Sequence, residues 1–568
     1  IRSGVPFNWE IEFPEVFDRD NPGFDAIVGN PPFVGGRKMK STLGEDYQDW
    51  LFSTYPESSK NGDLVAYFFR RSFDLIRKSG CLGLIATNTI AQGDTRSTGL
   101  RFISNNGGTI YNAERRLKWP GLAAVVVSVV NVCKGHYSGT KTLDSRLVQN
   151  ITAFLFPKGG NENPQILLAN SGKSFIGSYV LGMGFTFDDT NPEATPIAEM
   201  HRLIEKDPRN AERIFPYIGG EEVNSSPTHE HHRYAINFFD LEEEEARKWP
   251  DLLQIIEEKV KPERTRTNNK GEFILRSPLP QRWWQYADKR PALVRAIAQC
   301  DRVLVISRVS NAVAFTFLPY GMVYAESLVV FALPTYASFS LLQNRTHEIW
   351  ARFLSSSMKD DLRYSCSDCF ETFPFPENWE TDPTLEAIGK TYYEYRADLM
   401  VRNNQGLTET YNHFHDPAER DPEILKLREL HAQMDRAVLA AYGWSDIDIT
   451  CRFALDYLDT DEDNLPPEVQ ERIASGDLFF PTADEACAFD SIARTGKRKL
   501  PWRYKWPEIT HDEVLARLLD LNQKRHEEEI LGGKHAEKKT KGKGKKGKEE
   551  KTENYQDLPM FKHAQEET

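Results

Sequence analysis

The chain has 568 residues, 40% of them hydrophobic, enough to bury several cores, so two to four domains are expected. No apolar run approaches the roughly 20 residues that span a bilayer, and nothing at the start reads as a secretory signal. Seven cysteines show no disulfide framework, which points to a reducing, cytoplasmic setting with no membrane partner. A formal net charge of −13 argues against a nucleic-acid partner for the chain as a whole, yet a binding channel needs only local positive potential. The chain opens at Ile1, inside a pattern and without an initiator methionine, and is read as a piece of a longer protein.

The first strong element is Gly23-Phe24-Asp25-Ala26-Ile27-Val28-Gly29-Asn30-Pro31-Pro32-Phe33. Phe24 to Val28 is an apolar run of strand length, and Gly-Asn-Pro-Pro halts it. Neither proline can donate a ladder hydrogen bond, and each restricts the residue before it, so Asn30 is expected in a stiff loop at the strand's end. Open α/β sheets bind ligands there. Asn30 offers a side-chain carbonyl beside the main-chain carbonyl of Pro31, and Phe33 offers a flat apolar face. Two acceptors and a ring suit a planar exocyclic amine. On these residues alone, a proline-stiffened turn without chemistry is the other reading.

Asn30-Pro31-Pro32-Phe33 after such a strand resembles the catalytic motif of amino-methyltransferases that act on adenine N6. The flanks Phe7-Asn8-Trp9-Glu10-Ile11-Glu12-Phe13-Pro14-Glu15-Val16-Phe17 and Gly-Phe-Asp-Ala-Ile-Val-Gly are similar to the large adenine methylases of type IIG restriction–modification and of the BREX and DISARM phage-defence systems. The resemblance implies half of a doubly wound class I methyltransferase sheet, S-adenosylmethionine as methyl donor and double-stranded DNA as partner. Other defence-system subunits are further candidate partners, and no metal is implied. It also implies a flipped adenine that stacks on Phe33 while Asn30 and the Pro31 carbonyl accept from its amino group.

Residues 1–157 alternate strand and helix. Leu64 to Ile76 has helical spacing, with Leu64, Phe68, Phe69, Phe73 and Ile76 on one stripe. Gly80 to Ala86 and Ala123 to Val132 read as buried strands. Gly35-Gly36 and Gly107-Gly108 lack a strand–loop–helix context and read as turns, so the glycine loop for the cofactor is expected upstream. Asp63 sits where a carboxylate caps a helix. The resemblance implies a place near the cofactor for it as well, and capping alone would account for it. Trp119 is the residue that the resemblance implies as a second stacking partner for the base, with a core-capping tryptophan as the other reading.

Near residue 158 the alternation stops, at the loop composition Pro157-Lys158-Gly159-Gly160. Residues 158–380 are rich in short strands: Ser174 to Leu181, Phe185 to Phe187, Tyr234 to Phe239, Val303 to Arg308, Ala312 to Leu318 and Ser327 to Leu333. Ile214-Phe215-Pro216-Tyr217-Ile218-Gly219-Gly220 and Cys369-Phe370-Glu371-Thr372-Phe373-Pro374-Phe375-Pro376 are similar to segments that bracket the target recognition domain of the same family, so a mixed α/β recognition domain is expected. From Lys259 to Arg308, twelve Lys or Arg face four acids, a local balance of +8, with Trp283, Trp284 and Tyr286 interleaved. Basic residues position a phosphate backbone, and Arg can read base edges. Arg264, Arg266, Lys270, Arg282 and Arg290 are the candidate DNA contacts, against the plainer reading of a solvated basic face.

Residues 381–445 are helical and read as a scaffold bracing recognition against catalysis, 446–532 as a small α-rich segment, and 533–568 as a disordered Lys/Glu-rich tail. Cys366-Ser367-Asp368-Cys369 is a single CxxC without a second pair, which argues against structural zinc. The combined reading is an adenine-N6 DNA methyltransferase. A protein glutamine methyltransferase, which shares Asn-Pro-Pro, and a non-catalytic DNA-recognition subunit are the alternatives.

Overall fold

A computed structural model describes residues 7–118, 126–355, 362–455, 466, 467, 469, 472, 478–493 and 500–533. Trp119 and the tail beyond 533 lie outside the described residues. The chain forms two units, residues 1–164 with 450–523, and residues 165–449 with 524–568.

In the first unit the strands are β1 (Phe24–Gly29), β2 (Ile76–Thr87), β3 (Gly108–Lys118), β4 (Val126–Lys134), β5 (Lys141–Leu143) and β6 (Arg146–Val148). They make one sheet in the order β1-β2-β4-β3-β5-β6. β1 and β2 run parallel, which demands a crossover, and the helix Leu64–Leu75 lies on it. β4 runs antiparallel to both of its neighbours. Val65, Phe69 and Phe73 of the helix share one core with Leu82, Leu84, Ala86, Val130 and Val132 of the sheet, all buried. Phe68, expected on the buried stripe, is 40% exposed. The row that meets the sheet repeats at i, i+4 and i+8 from Val65, and Phe68 falls beside it. β1 is the edge strand, and its Val28 is 86% exposed.

The second unit carries β7 (Ser174–Ile176), β8 (Thr186–Phe187), β9 (Ile214–Ile218), β10 (Arg233–Ile236), β11 (Arg302–Ser307), β12 (Val309–Ser310), β13 (Thr316–Pro319), β14 (Val323–Tyr324), β15 (Leu328–Phe331) and β16 (Leu362–Arg363). One sheet, β13-β11-β15-β7, is antiparallel throughout. A second, β14-β9-β10-β8, contains one parallel pair, and β12 pairs with β16 as a short ribbon. The helices Pro383–Asn403, Leu407–His415 and Pro422–Ala441 belong to this unit rather than standing apart as a brace. Fully buried Arg396 shows why. Its guanidinium donates to the Phe315 carbonyl (2.5 Å), Gln343 Oε1 (3.2 Å) and the Tyr411 hydroxyl (3.1 Å), so one side chain joins helix and sheet.

Residues 450–523 return to the first unit, in place of a separate segment over 446–532. Their strands β17 (Arg452–Leu455), β18 (Phe479–Phe480) and β19 (Trp502–Lys505) form a small antiparallel sheet over Phe453, Phe480, Phe489 and Trp502. The helix Glu508–Leu531 follows, and its Asp512 takes a 2.9 Å ion pair from Arg115 on β3, which also holds Asp144 at 2.6 Å. Burial alone would raise the Asp512 pKa. The bond to His511 and the charge of Arg115 outweigh it and hold that carboxyl below its ordinary value of 3.8.

Breaking a buried pair leaves an uncompensated charge, so Arg115→Leu should destabilise the first unit by about 3–5 kcal/mol, read from urea unfolding. Asp512 has a lowered pKa in the folded state, so its contribution is present above the ordinary value and fades as pH falls below it. The gap between parent and variant should narrow below pH 3.8.

Candidate active site and nucleic-acid interface

Asn30 follows β1 at its carboxyl end, beside the parallel strand β2. Pro31 is buried, Asn30 and Pro32 are exposed, and Phe33 is half buried against the apolar core of the sheet. The turn is thus anchored on its apolar side while the Asn30 side chain stands free. Asp63 fixes what comes next. Its Oδ1 accepts from the Val65 amide (3.0 Å), capping the helix Leu64–Leu75, and from the Val34 amide (3.2 Å), one residue past Phe33. The Leu64 amide donates back to the Val34 carbonyl at 3.0 Å, and the Asp63 amide donates to Thr95 Oγ1 at 3.1 Å. Gly36 completes the clamp, because a Cβ there would stand 2.4 Å from the Asn61 backbone.

Arg96 supports the same wall. It is fully buried over the Phe154 ring at 3.7 Å, and its guanidinium donates to the Asn161 carbonyl at 2.5 Å and to the Asn163 side chain. Burial lowers its pKa to about 9, which leaves it charged at neutral pH. A side-chain amide, a neighbouring main-chain carbonyl and a half-buried ring packed against the core are the groups a planar amine would need.

The basic stretch divides three ways. Arg264 is 1% exposed, a correction to its place among surface contacts. Its guanidinium donates to the carbonyls of Val180 (2.8 Å), Leu181 (2.7 Å) and Gln285, and burial lowers its pKa to about 10. Trp283, Trp284 and Tyr286 likewise belong to the core, with the Trp284 indole donating to the Leu241 carbonyl at 2.8 Å. Arg266 and Lys270 are exposed on one hairpin, and exposed Arg276 follows two residues after its last rung. Arg282 is exposed and pairs with Glu242 at 3.1 Å.

Arg290 lies apart from these, bonded to the Gly177 carbonyl (3.1 Å) and to Asp288 (2.8 Å), and it lines a cleft of about 520 Å³ with Arg308 and Arg363. Arg308 donates to the Glu326 carbonyl at 2.9 Å, and its buried Nε has no partner among the described residues. Asp368 and Glu371 face the same cleft. Sequence reading missed Arg363, which lies 55 positions past the basic window; the pairing of Val309 with Arg363 brings it there. Among the described residues no group of His, Cys, Asp and Glu could hold a metal ion.

Residues 2–108 match the family described as Eco57I restriction-modification methylase, and residues 164–377 match the MmeI target recognition domain. DNA methyltransferase A of Bacillus subtilis is 24% identical over 457 residues, covering 76% of this chain and 47% of that protein. The type II restriction enzyme and methyltransferase RM.Eco57I of Escherichia coli is 30% identical over 90 residues, 16% of this chain and 9% of the relative. The chain therefore spans less than half the length of either. The solved structure of the Type IIL restriction-modification enzyme MmeI in complex with DNA aligns with TM-score 0.48 at 20% identity, covering 74% of this chain and 54% of that one. Residues 2–108 are thus similar to the Eco57I restriction-modification methylase family, and residues 164–377 to the MmeI target recognition domain.

Proposed function

We propose that this chain carries the adenine-binding and DNA-reading parts of a site-specific adenine-N6 DNA methyltransferase in a bacterial restriction or phage-defence system. The observation that carries the reading is the exposed Asn30 amide at the carboxyl end of β1, next to a Phe33 ring anchored in the core. The match of residues 164–377 to a target recognition domain supports DNA over a protein amide as substrate.

S-adenosylmethionine, when bound, supplies the methyl group that is transferred. The residues of this chain fit the opposite side of that transfer. An adenine taken out of the helix would stack on Phe33, and its amino group would donate to Asn30 Oδ1 and to the Pro31 carbonyl. In free adenine the nitrogen lone pair is delocalised into the ring. Two acceptors drawing on both N–H bonds favour a pyramidal, more nucleophilic nitrogen and stabilise the positive charge that develops on it. Direct transfer then needs no covalent bond to the protein. Asp63 acts as a positioning residue, fixing the loop behind Phe33 through Val34, and the wall it shapes is our candidate for the cofactor side.

On the DNA side, Arg266, Lys270 and Arg282 would meet the phosphate backbone, and Arg290, Arg308 and Arg363 would present donors from their cleft.

In the full-length gene product, Asn30→Ala should lower methyl transfer by at least about 100-fold, the scale of losing a group that acts on developing charge. DNA affinity should stay nearly intact. A map of N6-methyladenine in host DNA beside a binding isotherm checks both, and an unchanged mark would remove the proposed site.

Arg266→Ala with Lys270→Ala should flatten the salt dependence of DNA binding, by about 0.9 in the log–log slope for each phosphate that is no longer neutralised. Arg264→Met should behave in the opposite way. It leaves two buried carbonyls and one half-buried carbonyl unpaired, at about 1–3 kcal/mol for each buried one, so it should lower stability in thermal melts without a matching change in slope.

A further inference from the structure

The hairpin that carries Arg266 and Lys270, with Arg276 two residues past its last rung, also carries two apolar side chains that the described residues leave exposed. Phe273 is 48% and Ile274 63% exposed, on the same loop and next to each other. They sit on the returning arm of the hairpin, and neighbouring exposed apolar residues rimmed by cations are the kind of patch that marks an interaction site.

The loop is built stiff. Asn268 and Glu272 close a three-residue connection, with the Asn268 amide donating to the Glu272 carbonyl at 2.8 Å and the Gly271 amide to the Asn268 carbonyl at 2.9 Å. Gly271 has φ of +77°, the left-handed position such a turn requires. Asn268 Oδ1 accepts from the amides of Lys270 (2.9 Å) and Glu272 (3.1 Å). The Ile274 amide donates to the Arg266 carbonyl at 3.0 Å, which extends the ladder below the tip.

Charge decides the partner. Among the described residues, the side chains of Arg266, Lys270 and Arg276 have no carboxylate partner. The loop's one acid, Glu272, is taken by the Asn268 amide at 3.0 Å. Three free cations around an exposed Phe-Ile pair suit neither a membrane core nor an apolar protein groove. They suit a polyanion with stacked flat faces inside it.

We propose that this hairpin enters a groove of duplex DNA and inserts Phe273 and Ile274 as a wedge against a base step, while Arg266, Lys270 and Arg276 hold the flanking phosphates. Proteins that wedge apolar side chains between base steps partly unstack and untwist the duplex. The proposal rests on the DNA-binding reading above and adds a deformation to it.

The test uses the full-length protein and closed-circular plasmid relaxed by a topoisomerase in its presence. The parent should lower the linking number in proportion to the protein bound. Phe273→Ala with Ile274→Ala should abolish that change and weaken binding by roughly tenfold, the scale of losing one stacking side chain. Both side chains are exposed, and an unchanged melting temperature confirms that the variant folds. Arg266→Ala with Lys270→Ala should instead weaken binding while keeping the linking change per bound molecule. A parent that binds plasmid without changing its linking number overturns the wedge and leaves the DNA reading standing. So does a double apolar variant that unwinds like the parent. A protein that binds no plasmid overturns both.

Discussion

One carboxylate oxygen sets the candidate site. Oδ1 of Asp63 holds the amide of Val65 and the amide of Val34, so the first turn of a helix and the loop after Asn30-Pro31-Pro32-Phe33 share a single acceptor. Helix amides at an N-terminus have no partner within the helix, and a buried one must find a partner elsewhere. Because Asp63 is itself buried, the cap cannot slip into water without leaving an amide on each side unpaired. The same bond therefore stabilises the crossover helix and stiffens the loop that follows the prolines. Together with the Phe33 anchor, it leaves Asn30 little freedom to move relative to β2.

Buried arginines play the matching part elsewhere. Arg96, Arg264 and Arg396 are each at most 1% exposed, and each spends its planar fork on main-chain carbonyls of segments distant in sequence. A guanidinium suits this work because it stays charged, carries five donors and is weakly hydrated compared with an ammonium. The consequence reaches beyond stability. Counting positive residues along a sequence adds such internal cross-links to the surface charge, and Arg264 entered the candidate DNA face in that way.

Legibility followed the range of the physics involved. The strand before Asn30 and the helix Leu64–Leu75 were legible because apolar periodicity and proline stops are local signals. β3 was not, since Gly108 to Lys118 breaks its few apolar residues with polar and charged ones in no regular alternation, and Asn112 finds its partners on β4 and β5 only after the sheet has formed. The unit boundaries were harder still. Residues 450–523 return to the first unit through contacts such as Arg115 with Asp512, nearly 400 positions apart, which no window can read. In the basic stretch the pattern showed that cations cluster; it could not show which of them face inward. That depended on Val180 and Leu181 offering carbonyls to Arg264 from a segment more than 80 positions upstream.

The net charge of −13 and a DNA partner are compatible because the two act over different lengths. At physiological ionic strength exposed charges are screened beyond about 8 Å. A duplex at the hairpin would thus feel Arg266, Lys270 and Arg276 against the single charge of Glu272, and little of the acids spread over the rest of the surface. The acidic remainder still matters at longer range and low salt. It opposes non-specific association and leaves close approach to surfaces where cations are grouped. If DNA is the partner proposed above, weak general attraction would keep the contrast between a matching site and the rest of the duplex high.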